Sequence, residues 1–152
     1  MSTTTTMADL PALKGAELGT SEWFEVTQAN VNLFAEATGD HQWIHVDVER
    51  ATAESPFGGP IAHGYLTLSM IVPLFWQIFS VSDASLVVNY GLNKVRFPAP
   101  VPVGSKVRMA ATLTEVEEVK GGLQLTLAAV IEREGGSKPV CIAEPVYRYY
   151  GG

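Results

Sequence analysis

Apolar and polar positions follow two rhythms along this chain, and the rhythm changes near Asp83. Trp23 to Val26 is a short apolar run that reads as a strand. Thr27 offers an N-cap hydroxyl, Val31, Phe34, Ala35 and Thr38 recur at helical spacing, and Gly39 stands where helices commonly stop. The pattern predicts a helix over 28–38, a loop over 40–46, and a short helix capped by Asp47 and running to about Ala53. Two Pro and two Gly between Ser55 and Pro60 predict a loop. From Ser55 to Ser82 there is no Asp, Glu, Lys or Arg, and the spacing predicts a long helix over about 62–79, kinked or broken by Pro73.

Beyond Asp83 the residues are those of strands. Leu86 to Phe97, Lys106 to Val119, Leu123 to Glu134 and Val140 to Tyr150 are rich in Val, Leu, Thr and Tyr. A Pro-rich segment and the pairs Gly121-Gly122 and Gly135-Gly136 separate them, which predicts an antiparallel meander. A sheet with an apolar face must be covered, and the uncharged helix is the available cover. The expected fold is α+β: a single hot-dog domain over 11–152, its curved sheet wrapped around one central helix. Residues 1–10 are Thr-rich and are expected to be a disordered terminus without a secretory signal.

Composition narrows the function classes. A formal charge of -6 argues against nucleic acid as the main partner. Ile61 to Phe79 has about the length of a membrane span, but it contains His63, Pro73 and Gln77 and lacks basic flanks. A helix buried on all sides of a core gives the same pattern, and that is the reading taken here. The lone Cys141 allows no disulfide within the chain, so a reducing, cytoplasmic setting is expected. Neither zinc spacing nor a phosphate-binding Gly motif is present, so no metal is expected.

The densest cluster of chemically able side chains is Thr38-Gly39-Asp40-His41-Gln42-Trp43-Ile44-His45. A carboxylate and an imidazole in one site can share acid and base duties near neutral pH. Spacing does not establish that they meet. In a helix, Asp40 and His45 point about 140° apart; in an extended chain they lie roughly 16 Å apart. Asp40 capping a turn beside a surface histidine is the plainer alternative.

Phe34-Ala35-Glu36-Ala37-Thr38-Gly39-Asp40 followed by His45 resembles the signature of the MaoC-like dehydratases, the R-specific enoyl-CoA hydratase family. The Gly, Asp, Ile and His positions of that signature match. Gln42 and Trp43 stand where the family has Asn and Pro. The wording around His45 is similar to mycobacterial 3-hydroxyacyl-thioester dehydratases and nodulation-protein-N-like proteins. The likeness runs from about Trp23 to Tyr149 and includes Ile61-Ala62-His63-Gly64 and Tyr90 to Pro98.

The resemblance implies reversible hydration of trans-2-enoyl thioesters to R-3-hydroxyacyl thioesters. It implies that Asp40 and His45 activate the water and that the Gly64 N–H stabilises the thioester oxygen. No cofactor is implied, since coenzyme A is part of the substrate. An acyl-CoA or acyl-carrier-protein thioester is the partner expected, with a homodimer as the assembly. Candidate substrate-binding residues are Gln42, His63, Tyr65, Asn89, Lys94 and Arg96. For each there is a plainer alternative: solvent exposure for Gln42, a helix-start residue for His63, core for Tyr65. Hairpin structure is the alternative for Asn89, and a charged solvent face for Lys94 and Arg96. Two other functions remain open at this point. An acyl-CoA thioesterase of this shape ordinarily carries an acidic residue on or near the central helix, and Ser55 to Ser82 holds none. A non-catalytic acyl-thioester binder is the other.

Overall fold

The computed structural model describes residues 2 to 151. In chain order it contains β1 (Thr3–Thr5), a 3₁₀ turn (Leu10–Leu13), β2 (Glu17–Thr20), β3 (Phe24–Glu25), α1 (Gln28–Thr38), α2 (Trp43–Val46), α3 (Val48–Glu54), α4 (Gly64–Ser69) and α5 (Ile71–Ile78). Strands β4 (Phe79–Val81), β5 (Ala84–Arg96), β6 (Lys106–Val119), β7 (Gly122–Arg133) and β8 (Cys141–Gly151) follow.

The long strands have the order β2-β6-β7-β8-β5, all antiparallel, with β3 also pairing β6. Only β6, β7 and β8 form the expected meander. The first of the four predicted strands, β5, lies at the edge of the same sheet and pairs with the last, β8. Burial alternates along β6 and β7, placing Met109, Leu113, Leu125, Leu127 and Ile131 on the face that meets α5. Ile71, Leu74, Phe75 and Ile78 of α5 are buried against that face. The Phe75 ring stacks on Tyr147 at 5.3 Å and 9°. This is the hot-dog arrangement, but the helix expected to be buried on all sides keeps a solvated face: Tyr65 and Trp76 are 71 % and 65 % exposed, and Ser69, Pro73 and Gln77 are exposed beside them.

The central helix is two pieces. It breaks at Met70, three residues before Pro73, because a proline ring clashes with the carbonyl four residues earlier, here that of Ser69. Pro73 thereby falls in the first turn of α5, where its missing N–H has no intrahelical acceptor to lose. Phe79, predicted helical, begins β4 instead.

The amino terminus also departs from expectation. Thr3–Thr5 pairs in parallel with Phe79–Val81, the Met7 N–H donates to Asp83 at 2.8 Å, and Leu10 is fully buried. Apolar contacts at Leu10 and the open edge of β4 order a segment that composition marks as frayed; Met1 lies outside the described residues. Among the described residues, no helix is long and apolar enough to cross a membrane. Cys141 is buried in the core, which pushes its thiol pKa up to about 11 and leaves it un-ionised near neutral pH.

Phe75 is the centre of this packing, 1 % exposed and stacked on both Phe79 and Tyr147. Phe75→Ala is expected to destabilise the fold by about 3–5 kcal/mol. Urea denaturation followed by circular dichroism measures it, and a loss below 1 kcal/mol contradicts the packing described.

Candidate active site

Helix α1 delivers the site. The Thr27 hydroxyl accepts the Asn30 N–H at 3.1 Å, and the Asn30 side chain accepts the Thr27 N–H at 3.0 Å, closing a capping box. At the other end Gly39 takes φ 82°, a left-handed conformation that costs glycine little. The chain turns there, and Asp40 follows at once. Its Oδ1 accepts the Gln42 N–H at 3.3 Å, an Asx turn.

The segment predicted as a loop then winds one turn, α2, with Gln42 as N-cap and Trp43 as first helical residue. Proline is favoured at that first position because the N–H there is free in any case. Trp43 therefore fits where the family signature carries Pro, and the Arg50 guanidinium covers its ring at 4.3 Å. The side-chain amide of Gln42, a substrate-binding candidate, is exposed and makes no hydrogen bond among the described residues, so it holds no part of the loop. Its main chain holds the turn instead, accepting the N–H groups of His45 and Val46.

The turn carries His45 inward. Asp40, His45 and His63 each present an acidic oxygen or ring nitrogen, and these atoms lie within 4.8 Å of one another. Asp40 is exposed, while His45 and His63 are buried. The His45 Nδ1 is 2.7 Å from the Ile61 carbonyl oxygen. A carbonyl only accepts, so Nδ1 carries the hydrogen and Nε2 of the neutral ring keeps its lone pair. The Ile61 N–H also donates to the Ile44 carbonyl at 3.0 Å, so one residue clasps the α2 turn twice. Gln28, absent from the sequence-based candidates, donates its amide to the His45 carbonyl at 2.8 Å from the first turn of α1. Only tertiary folding brings Gln28 and His45 together, and no local pattern signals it.

The rings of His45 and His63 stack at 4.0 Å and 25°. Near-parallel rings aim their in-plane lone pairs side by side, whereas chelation of one ion needs them to converge. Gly64 opens α4 directly after His63, and the Phe97 ring lies 3.2 Å from where a Cβ would stand. The close approach that glycine allows here is thus occupied by Phe97, which borders a hollow of about 340 Å³ with Ile61, Ala62, Gly64 and Thr67.

The remaining candidates lie apart from this cluster. Asn89 lines a cavity of about 240 Å³ between the central helix, β5 and β8, along with Leu68, Val72 and Tyr147. Lys94 and Arg96 share a shallow recess of about 130 Å³ with Glu144. Tyr65, expected in the core if not at the substrate, is 71 % exposed.

Residues 9–134 match the MaoC-like domain, and the chain belongs to that family. It is 53 % identical over 150 residues to 3-hydroxyacyl-thioester dehydratase Z of Mycobacterium tuberculosis, covering 98 % of this chain and 99 % of the relative. It is 45 % identical to nodulation protein N of Rhizobium leguminosarum bv. viciae, covering 90 % and 86 %. Among solved structures, the (R)-hydratase from A. caviae superposes with a TM-score of 0.71 at 26 % identity, covering 88 % of this chain and 94 % of that one. An R-hydratase from Pseudomonas aeruginosa has the same fold, with a TM-score of 0.74 at 21 % identity, covering 91 % and 83 %.

Burial, the largest influence, lowers the His45 pKa from the ordinary 6.5; the Ile61 hydrogen bond opposes it, His63 adds to it, and Asp40 opposes it. The lowered pKa favours the neutral ring, and the fold loses stability as pH falls from 6.5 through that pKa, because the unfolded chain takes the proton first. If His45 acts as a base, the acid limb of kcat/KM is expected below pH ~6.5, the ordinary imidazole value. A midpoint above it contradicts the buried, neutral ring.

Proposed function

We propose that this protein catalyses the reversible hydration of trans-2-enoyl thioesters to R-3-hydroxyacyl thioesters. The observation that carries the reading is the convergence of the Asp40 carboxylate and the buried, neutral His45 ring at the start of α4. In hydration, a water held between Asp40 and the His45 Nε2 loses a proton as its oxygen attacks C3. The C2–C3 π pair becomes an enolate across C2 and the thioester oxygen, and a proton returned to C2 completes the addition. Dehydration reverses each step. The Gly64 N–H, at the first turn of α4, is the donor we assign to the enolate oxygen. The reaction requires no cofactor, since coenzyme A or a carrier protein enters with the substrate. The hydratase and dehydratase names of the relatives support this reading, and thioester hydrolysis has no acidic residue on α4 or α5 to support it.

For the substrate, the cavity at Asn89 is the place we assign to the acyl chain, and Lys94 with Arg96 the place for the phosphates of coenzyme A. A cytoplasmic setting fits a chain whose single thiol is buried and un-ionised.

The assembly we propose is a C2 homodimer joined at β5. Among the described residues that strand pairs only with β8, and its apolar side chains lie open: Leu86 is 55 % and Tyr90 57 % exposed. A long bare edge of this kind invites pairing, and a two-fold axis lets each copy satisfy the other.

Asp40→Asn and His45→Ala are each expected to lower turnover of crotonyl-CoA at least ~10²-fold with the fold retained. Loss of the conjugated enoyl absorbance measures this; near-native rates in either variant overturn the proposal, and release of free thiol in a parallel sample indicates hydrolysis instead. Light scattering at micromolar concentration is expected to give twice the 16.4 kDa chain mass, and Leu86→Lys with Val88→Lys to halve it. A wild-type monomer refutes the dimer.

A further inference from the structure

We propose that His63 is a positioning residue of this reaction, which locks Asp40 and His45 together by hydrogen-bonding the main chain of one and stacking on the ring of the other. The inference rests on the hydration reading above for its kinetic consequences, but not for its geometry.

The His63 Nε2 is 3.0 Å from the Asp40 carbonyl oxygen. Since that oxygen only accepts, Nε2 carries the hydrogen and the neutral ring is a fixed tautomer. One face of the same ring packs on His45, with centroids 4.0 Å apart, and Phe34 of α1 packs on it at 4.8 Å. His63 is 2 % exposed. It therefore joins three separate elements, the start of α4, the turn after α1, and α2, at the point where the two reacting side chains meet.

A residue serving only as a structural peg would have all its polar atoms satisfied. His63 does not: its Nδ1 is buried without a partner among the described residues. An unpaired buried acceptor costs stability, so its retention points to something only an imidazole supplies here. The ring is flat enough to lie on His45 while still donating to the Asp40 main chain. The groups facing His45 are His63 from the start of α4 and Asp40 from the turn after α1, while α1 contributes only the uncharged Gln28. His63 opposes protonation of His45, adding to the effect of burial.

Two variants separate the two contacts. His63→Phe keeps a buried ring but loses the donor; His63→Gln keeps a donor but loses the ring. With crotonyl-CoA, kcat of the Phe variant is expected to fall about 10- to 100-fold, the range for groups that orient a reacting side chain, with KM little changed. The Gln variant is expected to recover part of that loss. In both, the acid limb of kcat/KM moves to higher pH, because His63 no longer opposes protonation of His45. Equal kcat losses in the two variants, or acid limbs coincident with wild type, overturn the proposal. Ring ¹⁵N chemical shifts of the wild-type protein provide a readout that needs neither variant nor turnover. They are expected to show His63 protonated at Nε2 and bare at Nδ1. The opposite tautomer overturns the proposal even if both variants fail to fold, and the expected one upholds the geometry even if crotonyl-CoA is not hydrated.

Discussion

The Ile61 carbonyl can accept a hydrogen bond and cannot donate one, and it lies 2.7 Å from the Nδ1 of His45. That single polarity sets the chemistry of the site. It places the ring hydrogen on Nδ1, leaves Nε2 with a lone pair, and turns that lone pair away from the main chain. Burial then keeps the ring neutral, since the charged form gives up its hydration without gaining a full counter-charge. The remainder of the structure holds this carbonyl still. Ile61 bridges Pro102, the Ala62 N–H donates to the Val101 carbonyl at 2.8 Å, and the Val103 N–H donates to the Pro60 carbonyl at 3.0 Å. A loop that would otherwise wander is tied on both sides to the segment preceding β6.

The sheet and the central helix supply the rigidity to which these ties attach. The core is continuous from Leu10 through α5 to Tyr149, so the start of α4 is fixed by packing rather than by its own few hydrogen bonds. Because α4 ends at Met70, its axis need not follow that of α5. The proline that forces the break lies nine residues along the chain from Gly64 at the site. Exposure is uneven in a related way. The inward faces of β6, β7 and β8 are dry, whereas β5 is open along nearly its whole length. The molecule thus joins a finished interior to an unfinished edge, and the cavity beside Asn89 lies beneath that edge.

Local chemistry determined a good deal of this before any coordinates. Thr27 and Gly39 mark the ends of α1 because capping depends on residues within one turn, and both ends fall where the sequence places them. Asp47 begins α3 for the same reason, its side chain accepting the Arg50 N–H at 3.0 Å. The long strands were legible from their β-branched and aromatic content, and the central helix from its lack of charge, although not the exposed face it keeps at Tyr65 and Trp76. The family signature named Asp40 and His45, although spacing alone left them either divergent or far apart.

Tertiary structure decided everything that joins distant residues. Strand pairing is a contest among edges, so nothing in β5 announces β8 as its partner rather than β6. The Thr-rich start pairs with β4 because an open edge is there to receive it. The turn of α2 brings His45 to Asp40, yet the partners that orient His45 come from Ile61, Gln28 and His63, far along the chain in both directions. A hydrogen bond between segments depends on where each has been carried by packing, and a one-dimensional pattern holds no record of that. The sequence by itself thus determined which groups could react and which elements form. Only the folded chain determined which way a proton sits on each ring, because that depends on the acceptor placed beside it.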